Sequence, residues 1–135
     1  MINKVILIGN AGQAAETKEL SGGSTVTNVS LATSESYKDQ SGQWQQKTEW
    51  HRIVFWGKQA ERAAQIAKGA TLYVQGKLTH RKWEDKEGQT RSTTEVVANY
   101  FRLMPTGPMS KSDTPKPEPE KEPKAEEEET DDLPF

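Results

Sequence analysis

The sequence predicts an all-β body, a small closed barrel of five strands with one short helix between the third and fourth, followed by a disordered acidic tail. Three observations carry this. Apolar residues recur with a period of two in most of five separate stretches. Only one stretch, lying between the third and fourth of these, has helical spacing. All seven prolines fall in the last quarter of the 135 residues, where apolar periodicity stops.

The first strand is "NKVILIG" (3–9), β-branched and apolar, broken by Gly9-Asn10. The second, "GSTVTNVSLATSES" (23–36), follows an "SGG" turn; Val29 and Leu31 alternate with polar neighbours, while Val26 is out of phase, as a bulge would allow. The third, "KTEWHRIVFWG" (47–57), puts Thr48, Trp50, Arg52, Val54 and Trp56 on one face and Glu49, His51, Ile53 and Phe55 on the other. The helix is "KQAERAAQIAKG" (58–69): Ala60, Ala63, Ala64 and Ala67 share a side with Ile66 nearby, and Gly69 closes it. The fourth strand, "ATLYVQGKLTHRKWED" (70–85), alternates Leu72, Val74, Gly76 and Leu78 against Tyr73, Gln75, Lys77, Thr79, Arg81 and Trp83. "KEGQ" is a turn, and "RSTTEVVANYFRLM" (91–104) is the last strand. There is no internal repeat. This order is that of five-stranded oligonucleotide-binding (OB-fold) barrels; an SH3-like barrel fits less well, because it lacks the intervening helix.

Residues 1–104 form the expected domain. Residues 105–130 are rich in Pro, Glu, Lys and Ser and cannot bury enough apolar area to offset the entropy of ordering them. They read as a disordered linker to a tip, "DDLPF" (131–135). The body carries 14 Lys and Arg against 10 Asp and Glu, and residues 105–135 carry 4 against 10, so a charge of +4 is joined to one of −6. A basic body suits an anionic ligand and an acidic tail suits a cationic partner, although so small an excess on the body is also ordinary surface charge. In the tip, Leu133 and Phe135 can enter an apolar pocket, Pro134 restricts the backbone beforehand, and Asp131, Asp132 and the terminal carboxylate suit a basic rim. The chain has no cysteine, which excludes disulfides and thiolate chemistry and fits a reducing compartment. The opening apolar run, Val5 to Ile8, is too short for a signal peptide or a membrane span, so a soluble cytoplasmic protein is expected.

The third strand raises the functional question. Ile53 and Phe55 already supply a core face, yet the opposite face holds two indoles, Trp50 and Trp56, with Arg52 between them. Large aromatics on a solvent face need a cover. Unpaired bases are one, worth about 1–3 kcal/mol per stack, and Arg52 can hold a phosphate or stack on a base. The plainer alternative is that these indoles fill the barrel or a subunit interface. Arg81 and Trp83 share a second face, with Lys82 beside them, near the tip of a long hairpin. Tyr37 lies where the second strand runs into a polar loop. Trp44 is loop-borne, either a loop anchor or a peripheral contact. Lys4, Lys58 and Lys68 complete the cations expected to meet phosphates.

Enzymatic readings fail in turn. His51 and His80 have no metal-ligand spacing around them, the Gly turns "GNAG" and "SGGS" lack a following Lys-Ser/Thr, and no Ser sits in a Gly-x-Ser-x-Gly elbow. No catalytic residue, metal or cofactor is expected. His51 reads as a structural or interface histidine.

Several stretches together resemble one family: "NKVILIGN", "SLATSESYKD", "KTEWHRIVFWGKQAE", "KGATLYVQGKL", "HRKWEDKEGQTRSTTEV" and the terminal "DDLPF". The chain is similar to bacterial-type single-stranded DNA-binding proteins (SSB) over most of residues 3–97 and the last five. "TEWHR" combined with a final "DDLPF" is the most specific part. The resemblance implies an OB-fold homotetramer that wraps single-stranded DNA without sequence preference. It implies a coat on exposed strands in replication, repair and recombination, hence a place on the nucleoid, and a tip that docks genome-maintenance proteins. The family's stacking aromatics fall on Tyr37, Trp50, Trp56 and Trp83, and its interface histidine on His51. The chain departs from the family in having Tyr37 where Trp is frequent, Trp56 where Phe is frequent, "AGQAAET" after "LIGN", and a short linker. Two rivals belong to other classes: a protein–protein adaptor whose barrel only scaffolds the tail, and an RNA-binding barrel of the cold-shock kind, which is shorter and carries closely spaced aromatic motifs not seen here.

Overall fold

The computed structural model describes residues 1–105, so the expected linker beyond Pro105 and the tip at 131–135 lie outside the described residues. The elements are β1 (Val5–Ala11), β2 (Glu16–Glu19), β3 (Thr25–Lys38), β4 (Trp44–Trp56), α1 (Lys58–Ala63), β5 (Thr71–Glu84) and β6 (Thr90–Leu103). The sheet runs β1-β5-β6-β4-β3-β2, and β1 also pairs with β3. That extra pairing closes β1, β3, β4, β5 and β6 into the five-stranded barrel. Two of the closing contacts are brief: Asn10 and Ala11 face Ala32 and Leu31, and the parallel β4–β6 pairing spans only Ile53–Val96 and Val54–Val97. Beyond them the strands separate into two long hairpins.

Alternation places Val29, Leu31, Ile53, Phe55, Leu72 and Val74 in the core as expected, and Val96 and Phe101 of β6 join them, with Ala60, Ala63 and Ile66 from the helical segment. Phe55 meets Phe101 edge to face, ring centroids 4.9 Å apart. Burial of a side chain of this size stabilises the fold by about 1.5–3 kcal/mol. Thr27, a polar residue, is also fully buried; its hydroxyl donates to the Ala60 carbonyl at 2.8 Å, which ties the helix to the barrel and satisfies the buried group. Among the described residues no helix is long and apolar enough to cross a membrane.

The structure corrects the sequence reading at the end of the first strand, which Gly9-Asn10 does not break and which runs on to Ala11, and in five further places. First, β2 was missed: "ETKE" is wholly exposed and has no apolar alternation, and it is a strand only because the edge of β3 pairs with it from Glu16–Asn28 to Glu19–Thr25. Second, Val26 marks no bulge. The β3–β4 register is unbroken from Val26–Trp56 to Lys38–Trp44; Thr27 takes the core position and Val26 is buried on the other face. The irregularity lies in β6, where Gln75 faces Tyr100 and Gly76 faces Ala98, leaving Asn99 over.

Third, the helix ends early. Ile66 bonds back to Ala63, the Ile66 carbonyl accepts from Ala15, and Gly69 donates to Ala11. The loop after β1 thus takes the groups that would continue the helix, and Ala64 and Ala67 are exposed. Fourth, Leu78 has the parity of the core strand face but is exposed, because it sits beyond the end of the packed core. Fifth, the second and third expected strands are longer: β3 continues through Tyr37 and Lys38, and β4 begins at Trp44. Thirteen consecutive cross-strand pairs hold this ribbon, including its polar half.

Candidate nucleic-acid interface

Alternation along β4 sends Trp44, Trp50, Arg52, Val54 and Trp56 to one face. Opposite them on β3 stand Lys38, Ala32, Ser30, Asn28 and Val26. These partners are mostly small or polar, so they do not roof the indoles, and Trp44, Trp50 and Trp56 are 69%, 62% and 47% exposed. Six residues of strand separate each pair, roughly 20 Å at a strand's rise.

Trp50 rests on Gly12. A Cβ at that position would collide with the indole's benzo ring, so glycine there sets how deeply the ring can lie. The Gly12 amide is itself fixed by the Ser30 carbonyl at 2.9 Å. Beside this ring opens a cleft of about 410 Å³ lined by Gln13, Glu16, Ser30, Trp50, Arg52 and Thr93, among others. Arg52 has no ion pair and no side-chain hydrogen bond among the described residues, so its guanidinium is unspent; Glu16 is the acid on the same wall.

The second hairpin reaches the same cleft through Thr93. Trp83 donates its indole N–H to the Thr93 hydroxyl at 2.9 Å, and Arg81 stands across from Thr93 in the register. The Arg81 Nε is 3.9 Å from Glu95, a loose pair in which the arginine is exposed and the glutamate largely covered. Trp50, Arg52, Trp83 and Arg81 are therefore brought to one region, and Trp56 continues the same face of β4.

Of the other predicted residues, His51 also lines the cleft, whereas Tyr37, Lys82, Lys4, Lys58 and Lys68 do not. Tyr37 pairs with Gln45, so it has the parity of the His51 face, opposite to that of Trp50. His51 is half-buried at the end of the core, its Nε2 2.8 Å from the Thr33 hydroxyl. Lys82 faces Ser92, on the side of β5 opposite Arg81 and Trp83. Lys4 lies before β1, along a separate depression with Gln75 and Lys77. Lys58 opens α1 just past Trp56, and Lys68 sits in the turn before β5.

Both hairpin tips use one turn, D-x-x-G-Q, at residues 39–43 and again at 85–89; the sequence reading has the second as the turn "KEGQ" and the first only as a polar loop. Asp39 and Gln43 bond through their backbones, as do Asp85 and Gln89, and Gly42 and Gly88 hold φ of 78° and 75°, which glycine adopts without strain. The Asp39 carboxylate accepts from the Ser41 hydroxyl, the Ser41 and Gln43 amides and the Gln45 side chain, and these bonds, led by Ser41's, hold its pKa below the ordinary value. The Asp85 carboxylate accepts from the Arg91 guanidinium and the Glu87 and Gln89 amides, with Arg91 the main cause of its lowered pKa. Trp44, expected in a loop, is instead the first residue of β4. Counting back by twos from Trp56 would have placed it on the Trp50 face.

A model of the single-strand binding protein family matches residues 2–104. The fold is shared with a single-stranded DNA binding protein from Thermus aquaticus, solved as a deletion mutant, at 28% identity over 78% of this chain and a TM-score of 0.69; the chain spans about half (51%) of that protein. It is also shared with a Plasmodium falciparum SSB solved in complex with ssDNA, at 34% identity over 78% of this chain and 97% of that one, with a TM-score of 0.70.

Proposed function

The chain belongs to the single-strand binding protein family, and from that premise we propose that it binds single-stranded DNA without sequence preference, along the outer face of β4 and the cleft beside it. The observation that carries this is the row of exposed indoles with Arg52, which has no ion pair among the described residues, between two of them. Bases stack on Trp50, Trp56 and Trp83, each stack contributing about 1–3 kcal/mol. Stacking reads the π-face that every base has, so it gives no sequence preference. A duplex hides those faces and is a poor ligand. Arg52 and Arg81 meet phosphates nearest the indoles; Lys4, Lys58, Lys68 and Lys82 carry an outer path. Tyr37 takes a base on the opposite face of the hairpin, so a strand that reaches it wraps around the ribbon.

Coating of exposed strands in replication, repair and recombination follows from such binding, and recruitment of other proteins is assigned to Asp131, Asp132, Leu133, Pro134 and Phe135. Assembly as a homotetramer is supported by an apolar outer surface: Ile6 and Ile8 are exposed on β1, Tyr73 pairs with Ile8, and Tyr73 stacks edge-on against Tyr100 at 6.1 Å. His51 is assigned to that assembly. The binding reaction needs no catalytic group.

The test is a tryptophan fluorescence titration of the full chain with oligo-dT and with a duplex of equal length. The expected result is strong quenching by oligo-dT alone, weakened by salt as counterion release requires, with a slope of about 0.7 per neutralised phosphate. No quenching by either ligand overturns the reading and leaves the adaptor in its place.

A further inference from the structure

We propose that the tip of the β3–β4 hairpin is a further base-stacking site, built from Trp44 and Lys38, which lengthens the path of a bound strand beyond the cleft. This rests on the single-stranded DNA reading above. Four observations lead to it. Trp44 shares the β4 face of Trp50 and Trp56 by strand parity and is the most exposed of the three indoles. Lys38 is its cross-strand partner and holds its ammonium 5.2 Å from the ring centroid, so one indole carries both a stacking surface and a cation for a phosphate. Lys38 has no ion pair among the described residues. The platform is also preorganised: the Asp39 carboxylate accepts three hydrogen bonds within the turn that joins the two residues and a fourth from the Gln45 side chain on β4. A tryptophan that merely anchored the loop would pack into it, whereas this one stands outside it.

The spacing makes the inference testable by length. Trp44 lies about 20 Å along the strand from Trp50, or roughly six nucleotides at a stacked rise of about 3.4 Å. A short oligomer fills the cleft without reaching the tip, and a long one spans both. The experiment measures the affinity of wild type, W44A, W44F and W50A for oligo-dT of increasing length, with 5-iodouracil crosslinking of the long oligomer and peptide mapping. Expected are about tenfold weaker binding of W44A to long oligomers, near-equal binding to short ones, most affinity restored in W44F, and a crosslink on Trp44. Equal affinities of W44A and wild type at every length, with W50A weakened and no adduct at Trp44, overturn the tip site while the cleft reading stands. An equal loss at all lengths also overturns it, as a general disturbance. If wild type binds no oligomer, the premise falls and this inference with it.

Discussion

The two long hairpins of this barrel are built alike and finished differently. Each pairs strands of 13 or 14 residues, starts in the core and ends in a D-x-x-G-Q turn closed by an aspartate. In β5–β6, side chains on the outer face bind one another: Trp83 to Thr93, Arg81 to Glu95, Arg91 to Asp85. In β3–β4, the outer face leaves Trp44, Trp50, Trp56 and Arg52 without side-chain hydrogen-bond partners among the described residues, and Lys38 rests on the Trp44 ring. Turn chemistry and backbone pairing are enough to fix a hairpin's shape. Its outward side chains are then free to be spent on the fold or kept for a ligand.

Both hairpins stand on one root, where Phe55 from the first packs on Phe101 from the second. F55A should cost about 3–5 kcal/mol of folding stability. Denaturant unfolding followed by probes in each hairpin should show both lost together; separate transitions would mean that the hairpins are independent units. Next in size, W50A and W83A should each weaken binding of oligo-dT by about 1–3 kcal/mol, with little effect on the fold. If W83A leaves affinity unchanged, the second hairpin is a structural wall and only the first grips the strand. The smallest effect separates the two turns. Both aspartates have pKa values depressed below the ordinary 3.8, so their contribution is present above 3.8 and is lost as pH falls through the folded values. Asp85 leans on the charged Arg91 and Asp39 on neutral donors alone. Added salt should therefore loosen the Asp85 turn first. Amide exchange at Gln89 and Gln43 reads this, and equal salt sensitivity would erase the distinction.

How much was legible depended on burial. Ile53 and Phe55 against Trp50 and Trp56 could be read because a half-buried strand must alternate. The outer half of the β3–β4 hairpin could not, since Ser34, Ser36, Gln45 and Gln46 are exposed on both faces and leave no hydrophobic signal. Tyr37, which the sequence leaves where a strand runs into a polar loop, gains a face only from its pairing with Gln45. The likeness of the two turns was present in the letters as a repeated D-x-x-G-Q, too short to stand out without the two hairpins to align it.

The sequence by itself determined the order of the five barrel strands, the single helix between the third and fourth of them, the core faces of the second, third and fourth, and the excess of aromatic and basic side chains left outside. These follow from local periodicity and the exclusion of apolar groups from water. The tertiary structure decided what depends on partners distant in the chain: β2 from the edge of β3, the early end of α1 from the loop after β1, and the ring of Trp50 over Gly12. It also decided which outward residues face a common cleft, because only pairing between strands sets a register, and register sets which side chains meet.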